Sequence, residues 1–380
     1  MKKIALLGST GSIGRQVLGV VDRYPDKYSI VSLAANSNAK LLSEQIIKYK
    51  PIAAGLTDPV NIGEISVLPK ETTLYTGERA LLHCVLSEAD IVFVAVVGFC
   101  GLQAVLEAVN MGKTVALANK EALVAGGELV MPLAKSKNVE IIPVDSEHSA
   151  IWQCLAFEKE RQFKKIILTA SGGALRDVPI ENLSSVTPEL ALKHPNWKMG
   201  AKITIDCATM FNKGLEVIEA KWLFNAPLDK IDVLIHPQSI VHSMVEYADN
   251  ALIAQLSVPS MDIPIQLALT YPERIKSGVE PLDLTKQPLT FSAVDEKRYP
   301  CFNIALQAAK LGGVYPCAVS GANEEAVKLF LNGIISYTEI DDYLLYAADT
   351  VKQTEVTVES LAFTDGAARQ AVYRRLKEKK

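Results

Sequence analysis

Asp145 and Glu147 stand two residues apart in "PVDSEHSAIW" (143–152), directly behind the apolar run "NVEIIP". In an extended backbone, residues two apart point the same way, so both carboxylates can converge on one point, and a hard divalent cation would remove their repulsion. The competing reading is local: Asp145 or Ser146 caps a helix "EHSAIWQCLAF" and Glu147 lies in its first turn, stabilised by the dipole. A second group lies in "DCATMFNKGLEVIEAKWLF" (206–224), read as a helix entered through Asp206 to Thr209. Asn212 and Glu216 are spaced i, i+4 with Lys213 adjacent, so one face offers amide, ammonium and carboxylate; a solvated helical face with an ion pair would look the same. Three carboxylates without a histidine or thiolate partner favour Mg²⁺ or Mn²⁺ over zinc.

"GSTGSIG" (Gly8 to Gly14) follows an expected strand and opens an expected helix. In that context its glycines allow a tight turn and let phosphate approach the helix N-terminus, which points to a dinucleotide. The spacing is GxxGxxG, and no G-K-[ST] follows, so an ATPase loop is unsupported. The stretch "AANSNAK" at the end of the second expected strand holds Asn36, Ser37 and Asn38 and no carboxylate to repel a 2′-phosphate, which favours NADP(H). "LTASGGALRD" repeats an anion-binding loop with Ser171, Gly172 and Gly173, and "KHPNWKMGAK" (193–202) gathers His194, Asn196, Trp197 and Met199 as a lid or as a surface loop pinned by Trp197. His83 and His242 read as structural; His148 and His236 fit either role.

These residues need a scaffold. Up to about residue 145, short β-branched runs alternate with helical patterns, the βαβα rhythm of an N-terminal Rossmann-like doubly wound α/β sheet. The expected division is 1–145 as this NADPH-binding domain, 146–276 as a catalytic α/β domain with a mixed sheet, metal site and lid loop, 277–300 as a linker, and 301–380 as a C-terminal helical bundle. A length of 380 residues suits two or three such domains. The net charge of −4 gives no electrostatic reason to expect nucleic acid, and "IVFVAVVGFCGL" falls short of the roughly 20 residues of a membrane span. Six scattered cysteines without C-x-x-C spacing read as buried, reduced thiols, and the expected location is cytoplasmic.

Over essentially its whole length the sequence resembles the 1-deoxy-D-xylulose 5-phosphate reductoisomerase family, through "GSTGSIG", "LANKEALV", "PVDSEHSAI", "ASGG", "HPNWKMG", "ATMFNKGLEVIEA", "IHPQSIVHSMVEY", "RYPCFNIA" and "GANEEAV". The resemblance implies an NADPH-dependent enzyme of the non-mevalonate isoprenoid route. It would isomerise a metal-chelated ketose phosphate, by retroaldol cleavage and re-addition or a skeletal shift, and reduce the resulting aldehyde to 2-C-methyl-D-erythritol 4-phosphate. Asp145, Glu147 and Glu216 become ligands of Mn²⁺ or Mg²⁺, with Co²⁺ a third candidate, and the ion acts as a Lewis acid. Ser146 and Lys120 fall on substrate-contacting positions, as does His194 in a lid that Trp197 and Met199 complete, while Ser171, Asn212 and Lys213 fall on phosphate-holding ones. Thr10, Gly11, Ser12, Ile13, Asn36, Ser37, Asn38, Asn119, Lys120, Glu121 and Gly200 fall on NADPH-contacting positions beside Gly8 and Gly14. A homodimer is also implied.

The chain departs from the family pattern at Cys207, where a phosphate-contacting serine is usual; a thiol is the weaker donor, and weaker substrate binding is expected. "SVPSMD" (Ser257 to Asp262) replaces the usual G-x-P-D-M-R, "GALRD" follows the serine loop in place of Gly-Pro-Phe, and Asn36 replaces a glycine. Two rival readings are a metal-independent NAD(P) dehydrogenase, which needs no acid trio, and a catalytically silent nucleotide sensor, which has no use for the lysines and acids together.

Overall fold

The computed structural model describes residues 1–156, 163–197 and 199–379. Phe157, at the end of the helix expected from Glu147, Lys198 in the expected lid, and Lys380 lie outside the described residues.

The chain forms two compact units: Met1–Ala122 with Leu129–Ser146 and Met261–Val279, and Leu123–Glu128 with Glu147–Ser260 and Glu280–Lys380. In the first, strands and helices alternate: β1 (Lys2–Leu7), α1 (Ser12–Arg23), β2 (Tyr28–Ala35), α2 (Ala39–Tyr49), β3 (Ala53–Leu56), β4 (Thr73–Thr76), α3 (Ala80–Val85), β5 (Ile91–Val94), α4 (Gly101–Asn110), β6 (Thr114–Leu117), α5 (Lys120–Lys137) and β7 (Ile141–Pro143). The strands form one parallel sheet in the order β4-β3-β2-β1-β5-β6-β7, the doubly wound arrangement expected. Ile4 to Leu7 and Ile91 to Val94 are all buried, as strands covered by helices on both faces must be. Each such aliphatic side chain contributes about 1.5–3 kcal/mol. The order reverses between β1 and β5, so the glycine loop after β1 lies at the switch point where open α/β sheets bind ligands. Helix α5 bends at Gly126 (φ −120°), inside the Leu123–Glu128 stretch that clusters with the second unit.

The second unit begins along α6 (Ser146–Cys154) and carries β8 (Lys165–Ala170), the short α7 (Pro188–Ala191), α8 (Ala201–Ala208), α9 (Phe211–Leu223), β9 (Ile231–Ile235), β10 (Val241–Glu246) and β11 (Leu252–Leu256). Helix α10 (Asp262–Thr270) returns to the first unit, and β12 (Ser292–Ala293), α11 (Pro300–Leu311), α12 (Tyr315–Leu331), α13 (Ile340–Asp349) and α14 (Val358–Glu378) complete the second. Its sheet runs β11-β10-β8-β9-β12 and is mixed, with only β8 and β9 parallel.

Three elements differ from expectation. The stretch 206–224 is two helices: Met210 adopts a left-handed conformation (φ 59°) between α8 and α9, so Asp206 lies within a helix instead of opening one. Residues 261–279 pack in the first unit, where Arg23 donates to both oxygens of Asp262 at 2.6 and 2.7 Å. The stretch 277–300 contributes an edge strand, β12, on β9. The helices after residue 300 share one core with α8 and α9: Phe211, Leu215 and Ile218 pack with Ala305, Val319, Ala322 and Phe330. No helix among the described residues is long and apolar enough to cross a membrane. No disulfide joins the cysteines among the described residues; Cys84, Cys154, Cys301 and Cys317 are buried as expected, whereas Cys100 is exposed and Cys207 half-exposed.

Candidate active site

The glycine loop is built from backbone. Gly8 has φ +89°, and a Cβ there would come within 2.6 Å of the Ala95 carbonyl carbon and 2.8 Å of the Val96 nitrogen. A Cβ on Gly14 would lie 2.7 Å from Ser9 Cα, so the first turn of α1 and the loop before it approach too closely for any side chain. Gly11 precedes α1 in extended conformation and no side chain caps the helix, the arrangement that leaves its first N–H groups for an anion. Buried Gln45 of α2 clasps the loop: Ser9 Oγ donates to Gln45 Oε1 at 2.6 Å and Gln45 Nε2 donates to the Ser9 carbonyl at 3.0 Å. No local pattern signals this clasp, whose partners lie 36 residues apart.

Other expected cofactor residues have structural work as well. Asn38 caps α2 by accepting from the Leu41 N–H at 3.1 Å, and Asn36 accepts from Thr57 Oγ1 at 2.7 Å. Asn119 is fully buried. Its Nδ2 donates to the Val96 and Gly98 carbonyls and to Glu121, and its Oδ1 caps α5 at Ala122. Those side-chain atoms hold the loops after β5 and β6 together. Lys120 Nζ lies 2.5 Å from Asp145, and both are largely buried in the first unit.

In the second unit, Glu147 lies in the first turn of α6, as the capping alternative placed it. It also meets Lys213 of α9, whose Nζ donates to Glu147 Oε1 at 2.8 Å and to Glu216 Oε2. Asn212 Nδ2 donates to the other oxygen, Glu216 Oε1. Burial alone would push the Lys213 ammonium down, but the Glu147 and Glu216 carboxylates outweigh it and hold the amine protonated well above its ordinary value. Glu147 and Glu216 each offer an oxygen within 4.8 Å of the other. Between them they already accommodate one positive charge, and an all-oxygen donor set is what Mg²⁺ or Mn²⁺ takes, so these residues fit such an ion. His148 fastens α6 to α9: its ring is fully buried, Nε2 donates to the Glu216 carbonyl at 2.9 Å, and Nδ1 lies 3.4 Å from Glu219. Sequence reading missed Glu219; its i+3 spacing from Glu216 was the available sign.

Gly172 and Gly173 both have positive φ (80° and 72°), and a Cβ on Gly173 would lie 2.5 Å from the Cys207 carbonyl oxygen. Tyr299 OH donates to the Gly172 carbonyl at 3.1 Å, and Tyr337 OH to that of Ala208 at 2.8 Å. Ser171 Oγ meets His194 Nε2 at 3.0 Å and accepts from the Gly173 N–H at 3.1 Å. The tautomer of His194 follows from its other nitrogen: Nδ1 accepts from the Asn196 and Trp197 N–H groups at 3.2 and 3.0 Å, so the proton is on Nε2. Ser171 Oγ therefore accepts twice and keeps its own hydrogen to donate. Burial, then the Arg176 charge, lowers the His194 pKa and keeps the ring neutral. Arg176, not singled out from sequence, also donates to the Ser171 carbonyl at 2.6 Å. Trp197 stands edge-on to His242 at 6.2 Å, Met199 is half-buried, and Gly200 opens α8.

Comparison with known proteins bears on the whole chain. Residues 4–127 match the family described as 1-deoxy-D-xylulose 5-phosphate reductoisomerase, residues 141–224 its C-terminal domain, and residues 256–371 the DXP reductoisomerase C-terminal domain. A 1-deoxy-D-xylulose 5-phosphate reductoisomerase from Caldanaerobacter subterraneus subsp. tengcongensis is 48% identical over 379 residues, covering 99% of each chain. The chain belongs to the 1-deoxy-D-xylulose 5-phosphate reductoisomerase family. Another reductoisomerase, from Pelotomaculum thermopropionicum, is 50% identical over 347 residues, 90% of this chain and 89% of its own. Among solved reductoisomerases, one in complex with NADPH, fosmidomycin and magnesium is 38% identical with a TM-score of 0.94, covering 99% of this chain and 98% of its own. The Zymomonas mobilis reductoisomerase in complex with NADPH is 37% identical with a TM-score of 0.91, covering 99% of each chain.

Proposed function

We propose that this chain converts 1-deoxy-D-xylulose 5-phosphate to 2-C-methyl-D-erythritol 4-phosphate with NADPH and a divalent metal ion, the reductoisomerase step of isoprenoid precursor synthesis. The observation that carries this reading is the buried Glu147–Lys213–Glu216 arrangement, in a chain alike to its relatives over nearly its whole length. Glu147 and Glu216 would hold the ion, with Asp145, two residues before Glu147 in the chain, as third ligand. When bound, the ion supplies Lewis acidity at the substrate's carbonyl and hydroxyl oxygens and the nicotinamide supplies the hydride.

The chain's own residues bind and orient. The Gly8–Gly14 loop receives the dinucleotide phosphates, with Thr10 to Ile13 at the first turn of α1 and Asn36 to Asn38 beyond β2. Ser171 donates its remaining hydrogen to the substrate phosphate, and Gly172, Gly173, Cys207, Asn212 and Lys213 surround that anion. His194, neutral with its proton on Nε2, positions the Ser171 oxygen. The Lys120 ammonium offsets the charge of Asp145. Ser146 contacts substrate, and Trp197 and Met199 exclude water from it. Residues 1–145 would thus serve the cofactor and 146–276 the metal and substrate, with Gly200 touching the cofactor as well.

We further propose a cytoplasmic homodimer. The buried thiols of Cys84, Cys154, Cys301 and Cys317 support the location. The exposed Leu252 and Ile253 on edge strand β11 support pairing with a second copy.

The test is consumption of NADPH on adding 1-deoxy-D-xylulose 5-phosphate with Mg²⁺ or Mn²⁺ and a matched chelator control. Metal-dependent consumption is the expected result. Full activity in chelator would favour a metal-independent dehydrogenase, and silence under all conditions would favour a nucleotide sensor.

A further inference from the structure

We propose that the Glu216 carboxylate couples the cation subsite to the phosphate subsite by holding Asn212 and Lys213, and that it yields them when a divalent cation takes its oxygens. This rests on the function proposed above. Cation binding would then strengthen phosphate binding, and phosphate binding would strengthen cation binding by the same factor.

The two residues that would receive the phosphate are the two that clasp Glu216, one on each oxygen. All three lie in the first two turns of α9, at spacings i, i+3 and i, i+4 that keep them on one face. The Lys213 side chain is 4% exposed and that of Glu216 1%, so water screens little of their attraction. Glu147, 2.8 Å from the same ammonium, adds a second negative charge. An anion accepting from Lys213 or Asn212 while both are turned to Glu216 would lie against two carboxylates carrying more charge than the ammonium cancels. The engagement of these donors by Glu216, together with the charge beside them, therefore opposes phosphate binding. With the Glu147 and Glu216 oxygens committed to a divalent cation, that charge is offset and the ammonium and amide can turn to the phosphate. By linkage the gain is reciprocal, and coupling of this kind is on the order of 5- to 150-fold.

Calorimetric titration of the full chain with inorganic phosphate, in saturating Mg²⁺ and in chelator, reads the coupling without turnover. The expected result is a phosphate Kd at least about tenfold lower in Mg²⁺, matched by an equal fall in the Mg²⁺ Kd when phosphate saturates. Glu216→Gln removes the competing charge, so in chelator it should bind phosphate more tightly than the wild type does. Lys213→Met should lose most of the coupling while still binding Mg²⁺. If Lys213→Met keeps the full coupling, direct attraction between ion and phosphate accounts for it and the exchange of donors is overturned. If Mg²⁺ binds the wild type but leaves its phosphate Kd unchanged, the coupling fails while the metal centre stands. If Mg²⁺ does not bind at all, the metal reading fails and takes the coupling with it.

Discussion

The glycine loop after β1 and the acid–lysine cluster between α6 and α9 meet their ligands by opposite means. The loop is made of backbone: Gly8, Gly11 and Gly14 set its course, and its attraction for anions comes from helix N–H groups with no charged side chain in the loop. The cluster is made of side chains, and Glu147, Glu216, Lys213 and Asn212 satisfy one another across a buried space. A backbone site stands formed and exacts its cost in shape. A charged side-chain site is self-satisfied, and a ligand must replace interactions already present.

The largest separation between the two regions is expected from Glu147→Gln. Loss of a charged ligand should lower kcat by on the order of 10²–10³-fold, the rate equivalent of about 3–4 kcal/mol, while NADPH fluorescence titration gives an unchanged Kd. A weakened NADPH Kd would break the contrast. Gly14→Ala is the mirror case. Its Cβ meets backbone that cannot give way, and overpacking of roughly 1–3 kcal/mol should weaken NADPH binding by about 10- to 100-fold and lower the Tm. Calorimetry should find Mg²⁺ binding unaltered.

Cys207→Ser sharpens the comparison inside the side-chain region. Restoring a hydroxyl donor beside the Ser171–Gly173 loop should lower the KM for substrate, with about 1.5–3 kcal/mol as the ceiling for a bond to a charged group. An unchanged KM would show that the thiol faces no anion. The smallest effect concerns pH. Burial is the first cause lowering the pKa values of His194, His236 and His242 beneath the ordinary 6.5. Below pH 6.5 the unfolded chain therefore takes up protons that the folded chain still refuses. Stability is fully present above that value and is lost as pH falls towards the depressed folded values. Urea midpoints at about pH 7.5 and about pH 5.5 should show the decline, and His236→Gln should shallow it, because the neutral His236 Nε2 accepts from the Ile240 and Val241 N–H groups.

The same contrast explains what could be read from the residues alone. A parallel sheet buried on both faces writes itself as β-branched runs, and glycines required by close approach appear at fixed spacing, so β1, β2, β5, β6, β7 and the Gly8 loop were legible, whereas β3 (AAGL) and β4 (TLYT), four residues each, were too short to stand out. So was the proximity of Asn212, Lys213 and Glu216, because helix spacing is local. Their pairing with one another was not, since spacing gives neighbours without saying which partner wins. The break at Met210 was hidden because methionine is an ordinary helix former. The Arg23–Asp262 pair spans 239 residues, and no local pattern shows that 261–279 packs against α1.

The two tyrosine hydroxyls that brace the serine loop and the end of α8 have a consequence for how the chain is made. Tyr299 and Tyr337 follow the carbonyls they hold, those of Gly172 and Ala208, by 127 and 129 residues. At a synthesis rate of about 5–20 residues per second, a ribosome exposes the loop roughly 6–26 seconds before its braces. The nascent chain can complete the β1 to β7 sheet in that interval, yet the Gly172 and Ala208 carbonyls lack these partners until Tyr299 and Tyr337 emerge. A chain halted before Tyr299 would carry most of the residues proposed for the chemistry and lack both tyrosine hydroxyls.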